Sequence, residues 1–156
     1  MPSLQFMGTN GAYMTGSYSK PYEAEVQWDG RYSDQWLINA RTGERTQVLE
    51  KHRGRVSSSP GGKYLMWFDQ DYHWISMNVA TGERRDLTGN LHVPFHRWDD
   101  DHPSPDSAYG VAGWAENDSA VLIYDEYDVW KVSPKSGRAV CVTDGYGREH
   151  RLQLRL

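Results

Sequence analysis

Tyr64-Leu-Met-Trp-Phe68, Trp74-Ile-Ser-Met-Asn-Val-Ala-Thr-Gly82 and Arg84-Arg-Asp-Leu-Thr88 follow one another with only short polar breaks between them. The first is an unbroken apolar run of strand length, suited to a strand covered on both faces. The second opens on Trp, runs half-apolar and turns at Thr-Gly. A short hairpin loop with a left-handed position favours Gly, because a Cβ there would clash. With Arg55-Val-Ser-Ser58 ahead of the Pro60-Gly-Gly62 turn, and Asp69-Gln-Asp71 as the next hairpin, the stretch predicts four antiparallel strands.

The same phrase is written twice more, as Trp36-Leu-Ile-Asn-Ala-Arg-Thr-Gly43 and Trp130-Lys-Val-Ser-Pro-Lys-Ser-Gly137. In each copy an aliphatic residue (Val48, Leu87, Val142) falls five places after the turn glycine. Ala120-Val-Leu-Ile-Tyr124 follows Tyr64–Phe68 at an offset of 56, and Trp130 follows Trp74 at the same offset. In the first copy Asn10-Gly-Ala-Tyr-Met14 matches Gly61–Leu65 and Trp36 matches Trp74. Its second hairpin is then 13 residues longer and holds Ser19–Tyr32.

Four strands in about forty residues, with a doubly buried second strand, describe a β-propeller blade. A two-layer sandwich would not repeat one Trp-to-Gly phrase three times. The expectation is an all-β partial β-propeller of about three four-stranded antiparallel blades over residues 1–156. Blade 1 runs about 4–50, blade 2 about 54–88 and blade 3 about 109–144, with an inserted loop over about 89–108. His150-Arg-Leu-Gln-Leu-Arg-Leu156 alternates like the first strand of a fourth blade, an unpaired edge that invites association. The simplest reading is a segment of a larger propeller.

Composition narrows the function classes. The net charge is −4 with both signs interspersed, which argues against the basic face that nucleic-acid binding needs. No apolar run is long enough to span a bilayer, and no basic-then-apolar leader opens the sequence. The single cysteine, Cys141, has no internal disulfide partner and reads as a small buried hydrophobe. Compartment is left open by these features.

Ser59-Pro-Gly-Gly-Lys-Tyr64, Ala80-Thr-Gly-Glu-Arg84, Asp86-Leu-Thr88, Tyr109-Gly-Val-Ala-Gly-Trp114, Tyr124-Asp-Glu-Tyr-Asp-Val-Trp130 and Asp144-Gly-Tyr-Gly-Arg148 form an ordered set across nearly the whole chain. That set resembles the N-terminal propeller of the prolyl oligopeptidase-like serine peptidases of bacteria, the dipeptidyl-peptidase IV and oligopeptidase group. The resemblance implies a propeller that caps an α/β-hydrolase domain of the same parent chain and limits access to small or unfolded peptide substrates. Relatives are commonly exported, often to the periplasm. No Ser here has Gly at both −2 and +2, as a nucleophile elbow requires, so no catalytic residue is carried over and none is assigned to a cofactor or a metal. The alternative is a TolB-like or WD40-like propeller serving as a protein-binding platform, since fold alone does not specify function.

Four constellations invite chemistry. His96-Arg-Trp-Asp-Asp-Asp-His102 places two His around three carboxylates, but adjacent residues on an extended loop rarely converge on a metal. The reading preferred is loop packing or channel lining. Glu23-Ala-Glu25 on the long hairpin puts two carboxylates on one strand face, a possible anchor for a substrate amine; a solvated hairpin is the plainer reading. Asp69-Gln-Asp71 and Asp125-Glu-Tyr-Asp128 sit at equivalent tips and read as turn chemistry, without the spacing of a calcium loop. Trp36, Trp74 and Trp130 read as packing layers in register on successive blades.

Overall fold

Strand formation follows the three repeats. The computed structural model describes residues 3–9, 11–26, 30–98 and 105–156. The first sheet holds β1 (Ser3–Phe6), β2 (Tyr13–Tyr18), β3 (Tyr32–Asn39) and β4 (Arg45–Arg53). The second holds β5 (Ser57–Ser58), β6 (Tyr64–Phe68), β7 (Trp74–Asn78) and β8 (Arg84–Asp86). The third holds β9 (Val111–Trp114), β10 (Val121–Tyr124), β11 (Val129–Val132) and β12 (Ala139–Cys141). Each sheet is antiparallel with neighbours in chain order, so each is one blade. The chain is a partial β-propeller.

The turns that carry the repeated phrase are alike in detail. Gly43, Gly82 and Gly137 all take φ near +74°, a conformation other residues adopt only at a cost. The Asn39 side chain accepts from the amides of Arg41 and Thr42 at 2.9 and 3.1 Å, and Asn78 does the same for Ala80 and Thr81. At the third turn the Ser133 hydroxyl oxygen accepts from the Ser136 amide.

Alternation along the strands places the cores between blades. Leu65, Trp67 and Met77 leave one face of the middle sheet and pack with Leu37 and Val48 of the first. Met66 and Trp74 leave the other face and pack with Val121, Ile123 and Val132 of the third. A strand with both faces covered is apolar at every position, which is why Tyr64–Phe68 reads as a continuous hydrophobic run. Fully burying side chains of this size contributes about 1.5–3 kcal/mol each. The blades are therefore held mainly by the cores they share.

Two polar or close contacts fix the blade order further. Asp118, buried between blades 2 and 3, accepts from the Ser59 hydroxyl at 2.6 Å and from the amides of Gly61 and Lys63 at 2.9 and 3.2 Å. At the equivalent junction of blades 1 and 2 the backbones of Gly8 and Gly62 meet directly. A Cβ on Gly8 would stand 2.7 Å from the Gly62 nitrogen. Gly8 and Ser59 occupy matching repeat positions, as do Gly62 and Asp118, so one junction uses bare backbone where the next uses a hydrogen-bonded pair.

Three sequence expectations change. Trp74 pairs with Phe68, whereas Trp36 pairs with Gly16 and Trp130 with Ile123. Phe68 matches Tyr124, which pairs with Val129, so Val129 and not Trp130 matches Trp74. The hairpin over 69–73 is one residue longer than that over 125–128, and one residue turns a strand side chain to the other face. The tryptophans are thus not one layer. Trp74 and Trp130 reach the core between blades 2 and 3 from opposite sides, while Trp36 lines an apolar groove of about 530 Å³ on the outer face of blade 1 with Leu4, Met14 and Ile38.

Second, Lys20–Glu25 is a 3-10 helix with Pro21 in its first turn, where a solvated hairpin strand was the expectation. Third, Tyr146–His150 is an α-helix, α1, and the residues after it join no sheet. The chain after α1 instead runs against the β10–β11 hairpin, with the Leu154 amide donating to the Tyr127 carbonyl at 2.8 Å. A first strand over 150–156 is not formed.

Candidate functional face

Antiparallel order sorts the connections. The β2–β3, β6–β7 and β10–β11 links emerge at one edge of the sheets, together with the chain leaving β4, β8 and β12. That edge receives the 3-10 helix Lys20–Glu25, the acidic hairpins, the insert and α1. Among the described residues the opposite edge carries short turns and the one-turn 3-10 helix Glu116–Asp118. Irregular segments collected on one edge of a rigid scaffold are where binding residues most often sit.

The insert is pinned to its own base. His96 and Ala108 form a bridge, with the Arg97 amide donating to the Ser107 carbonyl at 2.8 Å and the Tyr109 amide to Phe95 at 3.0 Å. Phe95 drops into the core between blades 2 and 3, 2% exposed, with its ring edge-on to Trp130 at 6.3 Å. From that anchor His96 stacks on Tyr72 at 4.4 Å, and its Nε2 lies 3.7 Å from Asp106. The Trp98 indole donates to Glu126 of the next hairpin at 3.1 Å while the ring stays 59% exposed. The insert therefore bridges two blade hairpins.

Of the stretch His96-Arg-Trp-Asp-Asp-Asp-His102, the residues His96, Arg97 and Trp98 serve this packing, and Asp99–His102 lie outside the described residues. Among the described residues no three His, Cys, Asp or Glu side chains converge as a metal set. Thermal unfolding with zinc added and with chelator is expected to give one midpoint. A zinc-dependent rise that disappears in Asp100→Ala or His102→Ala would contradict loop packing.

The acidic tips do turn chemistry. Asp69 accepts from the amides of Asp71 and His73 at 3.0 and 2.9 Å, and Asp125 from those of Tyr127 and Asp128 at 2.7 Å each. His73 and Asp86 form a second pair at 2.8 Å. Among the described residues no Ser or Thr hydroxyl hydrogen-bonds to His73 or His96.

Glu23 and Glu25 fall on the 3-10 helix, where three residues complete a turn and i, i+2 side chains diverge. Glu25 pairs with Lys51 at 2.7 Å. The Lys51 ammonium also lies 5.1 Å from the Tyr32 ring and 5.9 Å from the Tyr22 ring, and the Tyr22 phenol donates to Asp34 at 2.7 Å. That bond, with the Asp34 charge, pushes the Tyr22 pKa up to about 12. The Glu-x-Glu anchor is not assembled. The aromatic box around Lys51 was not foreseen, because it joins residues from three elements.

His52 closes the junction with blade 2. It is 7% exposed, its Nε2 has no partner among the described residues, and burial holds its pKa below the ordinary 6.5 while the Asp69 carboxylate pulls upward. The folded state therefore favours neutral His52. Its contribution to stability is complete above the unfolded value and is lost as pH falls through the lower folded pKa. Resistance of the wild type to urea is expected to fall as pH drops below about 6.5, and His52→Gln to flatten that dependence. Parallel curves would contradict the assignment.

Comparison with known proteins agrees on the fold. The chain is similar to the β-propeller domain of the Trilobed protease from Pyrococcus furiosus, which has an open velcro topology. The TM-score is 0.51 at 12% sequence identity, covering 89% of this chain and 41% of that one. No protein-family model and no curated protein matches the sequence. Among the described residues no helix is long and apolar enough to cross a membrane.

Proposed function

We propose that the chain is the non-catalytic, substrate-gating portion of the propeller of a prolyl oligopeptidase-like serine peptidase. The observation that carries this reading is the loop-bearing face, where the insert bridges the hairpins of blades 2 and 3 and displays Trp98, Tyr72 and His96. A peptidase propeller needs such a face to meet its hydrolase domain and to filter peptides. The similarity to a propeller domain taken from a protease supports the same reading. Hydrolysis would follow Ser-His-Asp acyl transfer in an α/β-hydrolase domain of the parent chain, with the propeller contributing shape selection.

The test is covalent. The product of the complete gene is expected to react with a fluorophosphonate probe and to cleave short peptides, while this chain alone does neither. Labelling of these 156 residues by the probe, or a complete gene with no Gly-x-Ser-x-Gly, would overturn the proposal. The second outcome would favour the protein-binding platform of TolB-like or WD40-like type.

A further inference from the structure

The face of blade 1 that turns toward blade 2 changes character along its length. Tyr13 and Leu37 join the shared core, but nearer the loop-bearing edge the same face carries Gln5, Thr15, Ser17, Ser33 and Gln35. With Arg55 from the start of blade 2 they line a groove of about 280 Å³. Among the described residues no carboxylate and no aromatic ring lines it, in a chain whose net charge is −4.

Gln35 sets the polarity of this groove. It is 8% exposed, and its Nε2 donates to the Ser33 hydroxyl at 2.7 Å and to the Ser17 hydroxyl at 3.3 Å. A hydroxyl has one proton to give. Each serine here receives a bond on its oxygen, and neither donates to another group among the described residues. Both O–H groups are thus left to donate into the groove. Arg55 adds a guanidinium whose fork matches a carboxylate in two parallel bonds. Two hydroxyl donors and one guanidinium, with no competing acid among the described residues, suit an oxyanion that is planar and small.

We propose that this groove binds a carboxylate, with Ser17, Ser33 and Arg55 as its donors and Gln35 as the residue that orients the serines. The carboxylate could belong to the C-terminus of a peptide or to a small free acid. The peptide source rests on the function proposed above, whereas the site does not.

Titration calorimetry on the full chain separates these. Trialanine is expected to bind, and its C-terminal amide, identical except for the charge, to bind at least about tenfold more weakly. Arg55→Gln and Ser17→Ala/Ser33→Ala should each weaken the acid by a similar factor, and Arg55→Lys should keep part of it. Unchanged thermal midpoints identify these as losses of binding and not of fold. Acetate or inorganic phosphate competing as well as trialanine would support the site while assigning it to free anions. Equal affinity for acid and amide, no binding of any probe, or indifference to Arg55→Gln would overturn the proposal. Fluorophosphonate reactivity of the complete gene product is read independently of each result.

Discussion

Asp125→Ala is expected to lower stability by about 3–5 kcal/mol, the range for stripping one partner from a buried charged network. Asp125 has no exposed surface. It accepts from the amides of Tyr127 and Asp128, from the Trp130 indole at 2.9 Å and from Arg148 at 2.9 Å. Alanine leaves the part-buried indole and Tyr127 amide and the buried Asp128 amide without an acceptor, the buried amide alone costing about 1–3 kcal/mol. Arg148 itself is 42% exposed, but Arg148→Ala leaves the buried carboxylate with its amide and indole donors and without a counter-charge, and should cost about 1.5–3 kcal/mol. Asp125→Asn keeps one carbonyl for the hairpin amides and should fall between the two. Urea unfolding of the three variants checks the ranking. An Asp125→Ala cost no larger than that of Arg148→Ala would show that the hairpin is held by other means.

The second large effect lies between blades. Asp118→Ala removes the acceptor shared by Ser59, Gly61 and Lys63, and should cost about 2–4 kcal/mol. The loss should appear as faster unfolding if blade docking forms late, and stopped-flow urea jumps read that directly. Asp118 also takes φ +56°, which alanine tolerates less readily than Asp. Asp118→Gly separates the two contributions, because glycine removes the side chain without backbone strain. Should Asp118→Gly unfold at the wild-type concentration of urea, the carboxylate contributes nothing to the junction.

The blades were legible because their signals are local. An all-apolar strand such as Tyr64–Phe68, and a turn closed by Asn and Gly, are written in consecutive residues. What was misread depends on single-residue geometry. Trp74 stands at a constant offset from Trp130 in the sequence, yet one extra residue in the 69–73 hairpin turns it to the opposite face. Lys20–Glu25 lies in a longer hairpin, and only its Pro21 hints at a helical turn. The contacts that define the loop-bearing face were not readable at all. Tyr72 with His96, Trp98 with Glu126, and Lys51 with Tyr22 and Tyr32 come together only through the fold. The donor groove is similar: Ser17 and Gln35 stand on neighbouring strands, and nothing in the sequence says that their shared face turns polar toward one edge.

Everything above depends on the three repeats standing as adjacent blades, and the pair Ser59–Asp118, which spans the second and third, reports on that adjacency. A double-mutant cycle with Ser59→Ala and Asp118→Ala, followed by equilibrium unfolding in urea, measures it. The expected coupling is about 1–3 kcal/mol, as for contacting partners in one hydrogen-bonded network. Costs that simply add, within about 0.5 kcal/mol, would mean that these residues do not touch and that the blades are not arranged as described.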